Sequence, residues 1–388
     1  MGTGSKCLGE NELSLDGSLV HDSHAEVVAK RAFILYLLDH LEKVCNAAGN
    51  DESKEKLIFE YVDDSKTFRL KNAIKFHFYS SHPPCGDATI AHKSLCSKTS
   101  DRFAIDKPLH NKSKRPKLEN SDNLEDIHRT GAKCVDQCLV KDPLQTLEGL
   151  KNYHVLGAVR KKPGRGDPTE SLSCSDKMAK WNFVGLQGSL LSSLLPDGPI
   201  MWSSLVIGGA QLNVKSIDRS MFSRFDHLGI VTKRIPIIKT ENTFQFSKTD
   251  IIGMESKDKE LIPCSSNIAF SQSDGNMICH DIMVNGRRQG VTKKHLGTTR
   301  SRVSICRINI SKKFVELLLK LHDRCSDNIA CAVCTKLKDK VNYSDLKLVC
   351  YNKSLWYGML SDKFYSILPG LKDARQHRRK RLDDFRVN

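Results

Sequence analysis

Apolar residues at Val27, Val28, Phe33, Leu37, Leu38 and Leu41 keep helical spacing and predict an amphipathic helix over residues 22–45. Asp22 or Ser23 can cap it, so His24 and Glu26 fall at or near its N-terminus, where unpaired backbone N–H groups favour anions. Alternation then replaces the helical period: AIKFHFYSS, residues 73–81, predicts a strand. The double proline of HPPCGDATI ends that strand and predicts a loop feeding a new helix at Cys85. Met178, Trp181, Val184, Leu190, Leu191 and Leu194 return to helical spacing after a glycine-rich loop, and PIMWSSLVIGG reads as a buried strand. Between 211 and 310 the strand-like pieces are RIPII and RSRVSICRINI; from 311 the pattern turns helical. Strand and helix signals in alternation predict an α/β layered domain.

Residues 97–127 are polar and poor in apolar positions, and predict a disordered surface insertion within a single domain spanning 1–388. The KSKRPK run inside it fits a nuclear-localisation signal or a solvated lysine cluster equally well. Charge adds a partner. Lys+Arg number 61 against 45 Asp+Glu, a formal +16, which favours a polyanion such as nucleic acid. No apolar run reaches bilayer length and no signal-peptide core is present, so neither a membrane nor secretion is expected. The chain has 14 cysteines, and without a secretion signal they point to a reducing compartment, cytoplasm or nucleus. Cys325, the CAVC at 331–334, Cys350, Cys134 and Cys138 are read as free thiols, since their spacings fit no regular zinc site.

Chemistry enters with HDSHAE. A catalytic zinc needs three protein ligands and an open position, and hydrolytic deamination of a base uses one His, two Cys and a Glu that is not a ligand. His24-Ala25-Glu26 supplies the imidazole and the carboxylate, and Pro84-Cys85-Gly86-Asp87 supplies a thiolate. The compact deaminase signature would put its second cysteine at 88, which is Ala, so the other thiolate comes from elsewhere. Cys174 in SCSDKMAKWN stands at a predicted helix N-terminus, where the dipole and Lys177 favour a thiolate.

At these residues the chain resembles a known family. DSHAE, PPCGDA, RTGAKC, KPGRGD, SCSDKMAKWN and GLQGSLL occur in the order found in the adenosine deaminases acting on RNA, densely over 2–208, with NGRRQGVTKKHLG extending the match more loosely. The resemblance implies zinc held by His24, Cys85 and Cys174, with Glu26 as the proton shuttle. It implies a cytidine-deaminase-like three-layer α/β/α sandwich with an enlarged C-terminal strand and helix region. It also implies a buried inositol hexakisphosphate touched by Lys30, Arg31, Lys177, Lys180 and Ser189. A polar relay of Asp22, Lys177, Trp181 and Gln187 would join that ligand to the zinc site. Lys30 and Lys180 replace arginines of the family pattern. Tyr343 and Lys347 fit the start of its late helix, Lys347 as a phosphate contact, but no Trp follows in the terminal basic run.

The resemblance is strongest to the members acting on tRNA, which convert the adenosine 3′ of the anticodon in alanine tRNA to inosine. The implied partner is therefore tRNA, with no obligate protein partner evident. Basic loops RKKPGRGD and NGRRQGVTKKH suit phosphate backbones. Long-duplex editors carry separate double-stranded-RNA-binding modules, for which the residues before 21 leave no room, and a tRNA loop presents bases already unstacked. Rival readings are double-stranded-RNA editing and an inactive RNA-binding relative; an unligated Glu26 is of no use to the latter. Members of the family have a further N-terminal segment ahead of MGTGSKC, so a missing piece is expected.

Overall fold

The computed structural model describes residues 1–14, 16–47, 55–63, 65–90, 133–134, 156–163, 168–208, 212–228, 233–242, 244, 264–324, 350, 357 and 359–363. The predicted insertion at 97–127, Tyr343, Lys347, the CAVC segment and the terminal basic run lie outside them.

The predicted first helix is α1, Ala25–Asn46, beginning three residues after the predicted start at 22. His24 is its N-cap, and Asp22 instead accepts from the His24 backbone N–H at 3.0 Å. Leu35, Leu37, Leu38 and Leu41 are buried along it. The chain then makes a hairpin of β1 (Phe59–Val62) and β2 (Thr67–Leu70), followed by β3 (Phe76–Ser80). Cys85 precedes only a short 3-10 turn, Asp87–Thr89. A second antiparallel sheet follows: β4 (Lys133–Cys134), β5 (Arg160–Pro163) and β6 (Pro168–Leu172), in order β4-β5-β6. Next is α2, Cys174–Val184, whose N-cap Ser173 accepts from the Asp176 N–H. It ends at Gly185, whose φ of 86° suits a residue without Cβ. The short α3 (Gly188–Ser192) leads into β7 (Trp202–Ile207), the predicted buried strand.

After β7 come α4 (Val214–Met221), β8 (Ile237–Lys239), a long hairpin of β9 (Ser266–Ser273) and β10 (Asn276–Val284), the two-residue β11 (Arg287–Arg288), and α5 (Arg307–Arg324). The domain is thus a mixed α/β structure. Strands β3, β7 and β8 are parallel with β7 central, and loops leaving the carboxyl ends of such strands are where open α/β sheets bind ligands. The loop after β3 carries Cys85. Antiparallel β11-β10-β9 lies against α1. Residues 2–8 run beside 21–25 and reach β9, through bonds such as Ser23 N–H to Lys6 O and Thr3 N–H to Ile268 O. That strap fixes the segment bearing Asp22 and His24.

The structure departs from the pattern at RSRVSICRINI, which is not a strand. A 3-10 turn, Thr299–Ser301, precedes α5, and Val303, Ile305 and Cys306 drop into the core between them. β-Branched residues there answer to burial rather than to a ladder. On α5, Ile310, Phe314, Leu317, Leu318 and Leu321 form one buried stripe while Leu319 points outward. Phe314→Ala should therefore cost about 3–5 kcal/mol in denaturant unfolding, and Leu319→Ala within about 0.5 kcal/mol; equal losses would contradict this packing.

Candidate active site

Three segments distant in sequence meet where α1 and α2 begin. His24 and Glu26 lie at the N-terminus of α1, Cys174 is the first residue of α2, and Cys85 sits in the loop after β3. The Cys174 backbone N–H donates to Cys85 Sγ at 3.3 Å, and Cys174 Sγ donates to Glu26 Oε2 at 3.2 Å. The Ser175 N–H donates to Cys85 O at 2.9 Å, which stitches the two cysteine-bearing turns together. Gly86, at φ 106°, makes this approach feasible: a Cβ there would overlap the hydroxyls of Ser173 and Ser175.

The two sulfurs share a proton unequally. The Cys174 thiol beside it, with help from Lys162 and His24, holds Cys85 down to about 6 against the opposing effect of burial. Cys174, bonded to Cys85 and buried, is pushed up. Asp22 engages His24 Nδ1 at 2.8 Å, which fixes the ring and leaves Nε2 for another partner. This donor set, an oriented imidazole and two soft sulfurs with a carboxylate beside them, has the chemistry that zinc selects. As the side chains lie, no group of three His, Cys, Asp or Glu among the described residues forms a closed metal cage.

A residue that sequence spacing leaves unmarked is central here. Lys162 on β5 is buried, and its ammonium donates to Cys174 Sγ at 3.0 Å and to Asp22 at 3.0 and 3.2 Å. Lys177 also reaches Asp22, and donates to Ser171 Oγ at 2.8 Å; Ser171 in turn donates to Asp22 Oδ2 at 2.9 Å. One buried carboxylate thus collects two lysines, a serine and the imidazole. Burial would raise the Asp22 carboxyl, but Lys177 and Lys162 outweigh it and hold it well below 3.8.

Among the other sequence candidates, Lys30, Arg31 and Lys180 gather on the inner face of α1 and α2. Burial, then the charges of Arg31 and Lys180, push Lys30 down to about 7. Its ammonium lies 5.7 Å from the Trp181 ring centroid, and next to Gly188 at the start of α3. Arg31 Nη1 donates to Ile305 O at 2.9 Å. Ser189 is buried on α3. The Gln187 amide is bonded to Val184 O, Ser192 Oγ and the Ile200 N–H, so it braces the turn between α2 and β7.

Comparison with known proteins names the class. The model of the adenosine-deaminase (editase) domain family matches residues 1–367, and the chain belongs to that family. It is an adenosine deaminase. Among curated relatives, tRNA-specific adenosine deaminase 1 of Drosophila melanogaster is 33% identical over 324 residues, covering 82% of this chain and 70% of the relative. The Homo sapiens protein of the same name is 29% identical over 402 residues, covering 83% and 77%. Double-stranded RNA-specific editase Adar of Drosophila melanogaster is 31% identical over 209 residues, but these cover 53% of this chain and 26% of that protein.

The Asp22 cluster gives a pH prediction. A carboxylate depressed in the fold contributes stability that is complete above its unfolded pKa and lost as pH falls through the folded one. Lys162→Met removes one ammonium and raises the folded value. Acid unfolding followed by tryptophan fluorescence should then begin at a higher pH than in wild type; coincident curves would show that Lys162 does not hold the carboxylate down.

Proposed function

We propose that this chain is a zinc-dependent tRNA adenosine deaminase, converting the adenosine beside the anticodon of alanine tRNA to inosine and ammonia. The observation that carries the reading is the meeting of Glu26 Oε2 with Cys174 Sγ at 3.2 Å, beside the Cys85 sulfur that the Cys174 backbone N–H holds at 3.3 Å. His24, Cys85 and Cys174 would hold the metal. Zinc, when bound, lowers the pKa of a water towards neutrality and so makes a nucleophile available. Glu26, beside Cys174 but outside the proposed ligand set, would serve as the proton carrier of the reaction. Asp22 keeps the His24 tautomer fixed, and Lys162 offsets the negative charge gathered on the sulfurs.

The tRNA reading draws support from the relatives named above, of which the tRNA-specific ones match over the larger share of the chain. Exposed Arg288, Lys293, Lys294 and Arg300 cluster after β10 and suit a phosphate backbone. No helix among the described residues is long and apolar enough to cross a membrane. We further read the whole chain as one deaminase domain of three-layer α/β/α design, interrupted at 97–127 and working in cytoplasm or nucleus.

Inositol hexakisphosphate is the second cofactor of this proposal. Lys30, Arg31, Lys177, Lys180 and Ser189 would contact it, with Lys347 completing the set. The fit rests on Lys30, whose charged form is disfavoured by burial and by the neighbouring charges of Arg31 and Lys180, a cost that a bound polyanion would offset. Trp181 lies against Lys30.

Two tests follow from this reading. Glu26→Gln should abolish inosine formation in alanine tRNA, read by mass spectrometry, while zinc stays at one per chain; undiminished turnover would remove the shuttle. For the polyanion, the sign follows from Lys30 being lower in the fold than its ordinary 10.5. Without the ligand the unfolded chain binds more protons between about 7 and 10.5, so the Lys30 contribution to stability rises with pH there. Bound inositol hexakisphosphate restores the charge and flattens that rise. Melting temperatures across this range should show a steeper pH dependence without the ligand than with it; parallel profiles would contradict its binding at Lys30.

A further inference from the structure

Each cysteine of the site is followed, two residues on, by a buried aspartate, and each aspartate is gripped by an arginine from one stretch of chain, residues 214–228. Asp87 is fully buried and accepts from Arg219 Nε at 2.9 Å. The same guanidinium donates to the carbonyls of Asp87 at 2.8 Å and Ile90 at 2.6 Å, so it clasps the whole turn after Cys85. Asp176, also buried, lies 2.7 Å from Arg224 Nη1. Arg160 joins the halves: its Nη1 is 3.5 Å from Asp87 Oδ1, and its backbone N–H donates to Asp176 Oδ2 at 3.0 Å.

An acidic residue in the first turn of a helix is common, because the dipole favours it. That alone explains neither the complete burial nor arginines arriving from a separate segment, and the turn holding Asp87 is only three residues long. Burying two carboxylates among three guanidiniums is costly unless each charge is closely answered. Arg219 and the Arg160 backbone N–H answer by hydrogen bonds, whereas Arg224 meets Asp176 by charge alone, its nitrogens making no hydrogen bond among the described residues. Together these contacts form a lattice that spans the two pieces of chain that carry the sulfurs. Lys162, two residues from Arg160 on β5, donates to Cys174 Sγ at 3.0 Å, so the strand that contacts both aspartates also contacts a sulfur.

We propose that Arg219, Arg224 and Arg160 are positioning residues that lock the two cysteine-bearing turns into one register, so that both sulfurs face the metal position before metal arrives. This inference rests on the zinc reading. It predicts that weakening the lattice loosens the metal without disturbing RNA binding, which a merely stabilising role would not do.

The test is the rate of zinc release from the purified, zinc-loaded full chain to a chromophoric chelator, with KM for alanine tRNA measured alongside. Arg219→Gln and Asp176→Asn should release zinc about 10–100-fold faster, the range found when groups behind metal ligands are removed, with KM unchanged. Arg219→Lys should recover part of the loss by keeping the charge. Arg234→Gln, which breaks an exposed pair with Asp218 and Asp226 near the same helix, should behave as wild type. Wild-type release rates in both lattice variants would overturn the inference, as would an equal acceleration by Arg234→Gln. If Arg219→Gln does not fold, Arg219→Lys and Asp176→Asn carry the same readout, and wild-type rates in both overturn it. A wild-type chain that holds no zinc would sink the zinc reading and this inference together; firm zinc in wild type and variants alike would sink this inference alone.

Discussion

Two sulfurs 89 residues apart in sequence are held against each other at the junction of two helix N-termini. Nothing local favours that arrangement. Burial raises the free energy of a thiolate, and two sulfurs in contact cannot both ionise cheaply. The Lys162 ammonium beside Cys174 answers the charge, and Asp22 in turn answers the ammonium. Lys162 and Asp22 are both buried, so removing either leaves the other uncompensated, a loss of about 3–5 kcal/mol for such pairs. The site is therefore one electrostatic unit spanning α1, β5 and α2, not a set of ligands that happen to lie close.

The same logic runs inward from Asp22. Lys177 links that carboxylate to α2, and one turn further along the helix Lys180 adds its charge to Lys30 and Arg31. Burial and the neighbouring charges of Arg31 and Lys180 disfavour the Lys30 cation, and the polyanion proposed there would relieve that cost and add its binding energy to the stability of the fold.

Much of the site is legible in the sequence because its parts obey local rules. The α1 stripe, the alternation of β3 and the capping serine before Cys174 all locate their residues by spacing alone. Lys162 is not legible that way. In RKKPGRGD it looks like any solvated lysine, and its partner Asp22 lies 140 residues away. The stretch RSRVSICRINI misleads for a related reason, since its apolar side chains serve the core around a helix start rather than a sheet. The β9–β10 hairpin, by contrast, has a readable signal. Asp274-Gly275, both at positive φ, is the two-residue turn that joins twisted antiparallel strands, flanked here by alternating burial.

X-ray absorption at the zinc edge of the purified protein addresses the central proposition most directly. A single zinc per chain with two sulfur ligands at about 2.3 Å and nitrogen and oxygen at about 2.0–2.1 Å is the expected spectrum, and it should lose one sulfur in Cys174→Ser. A shell of four sulfurs, or zinc absent from protein that still forms inosine, would mean that His24, Cys85 and Cys174 are not its ligands.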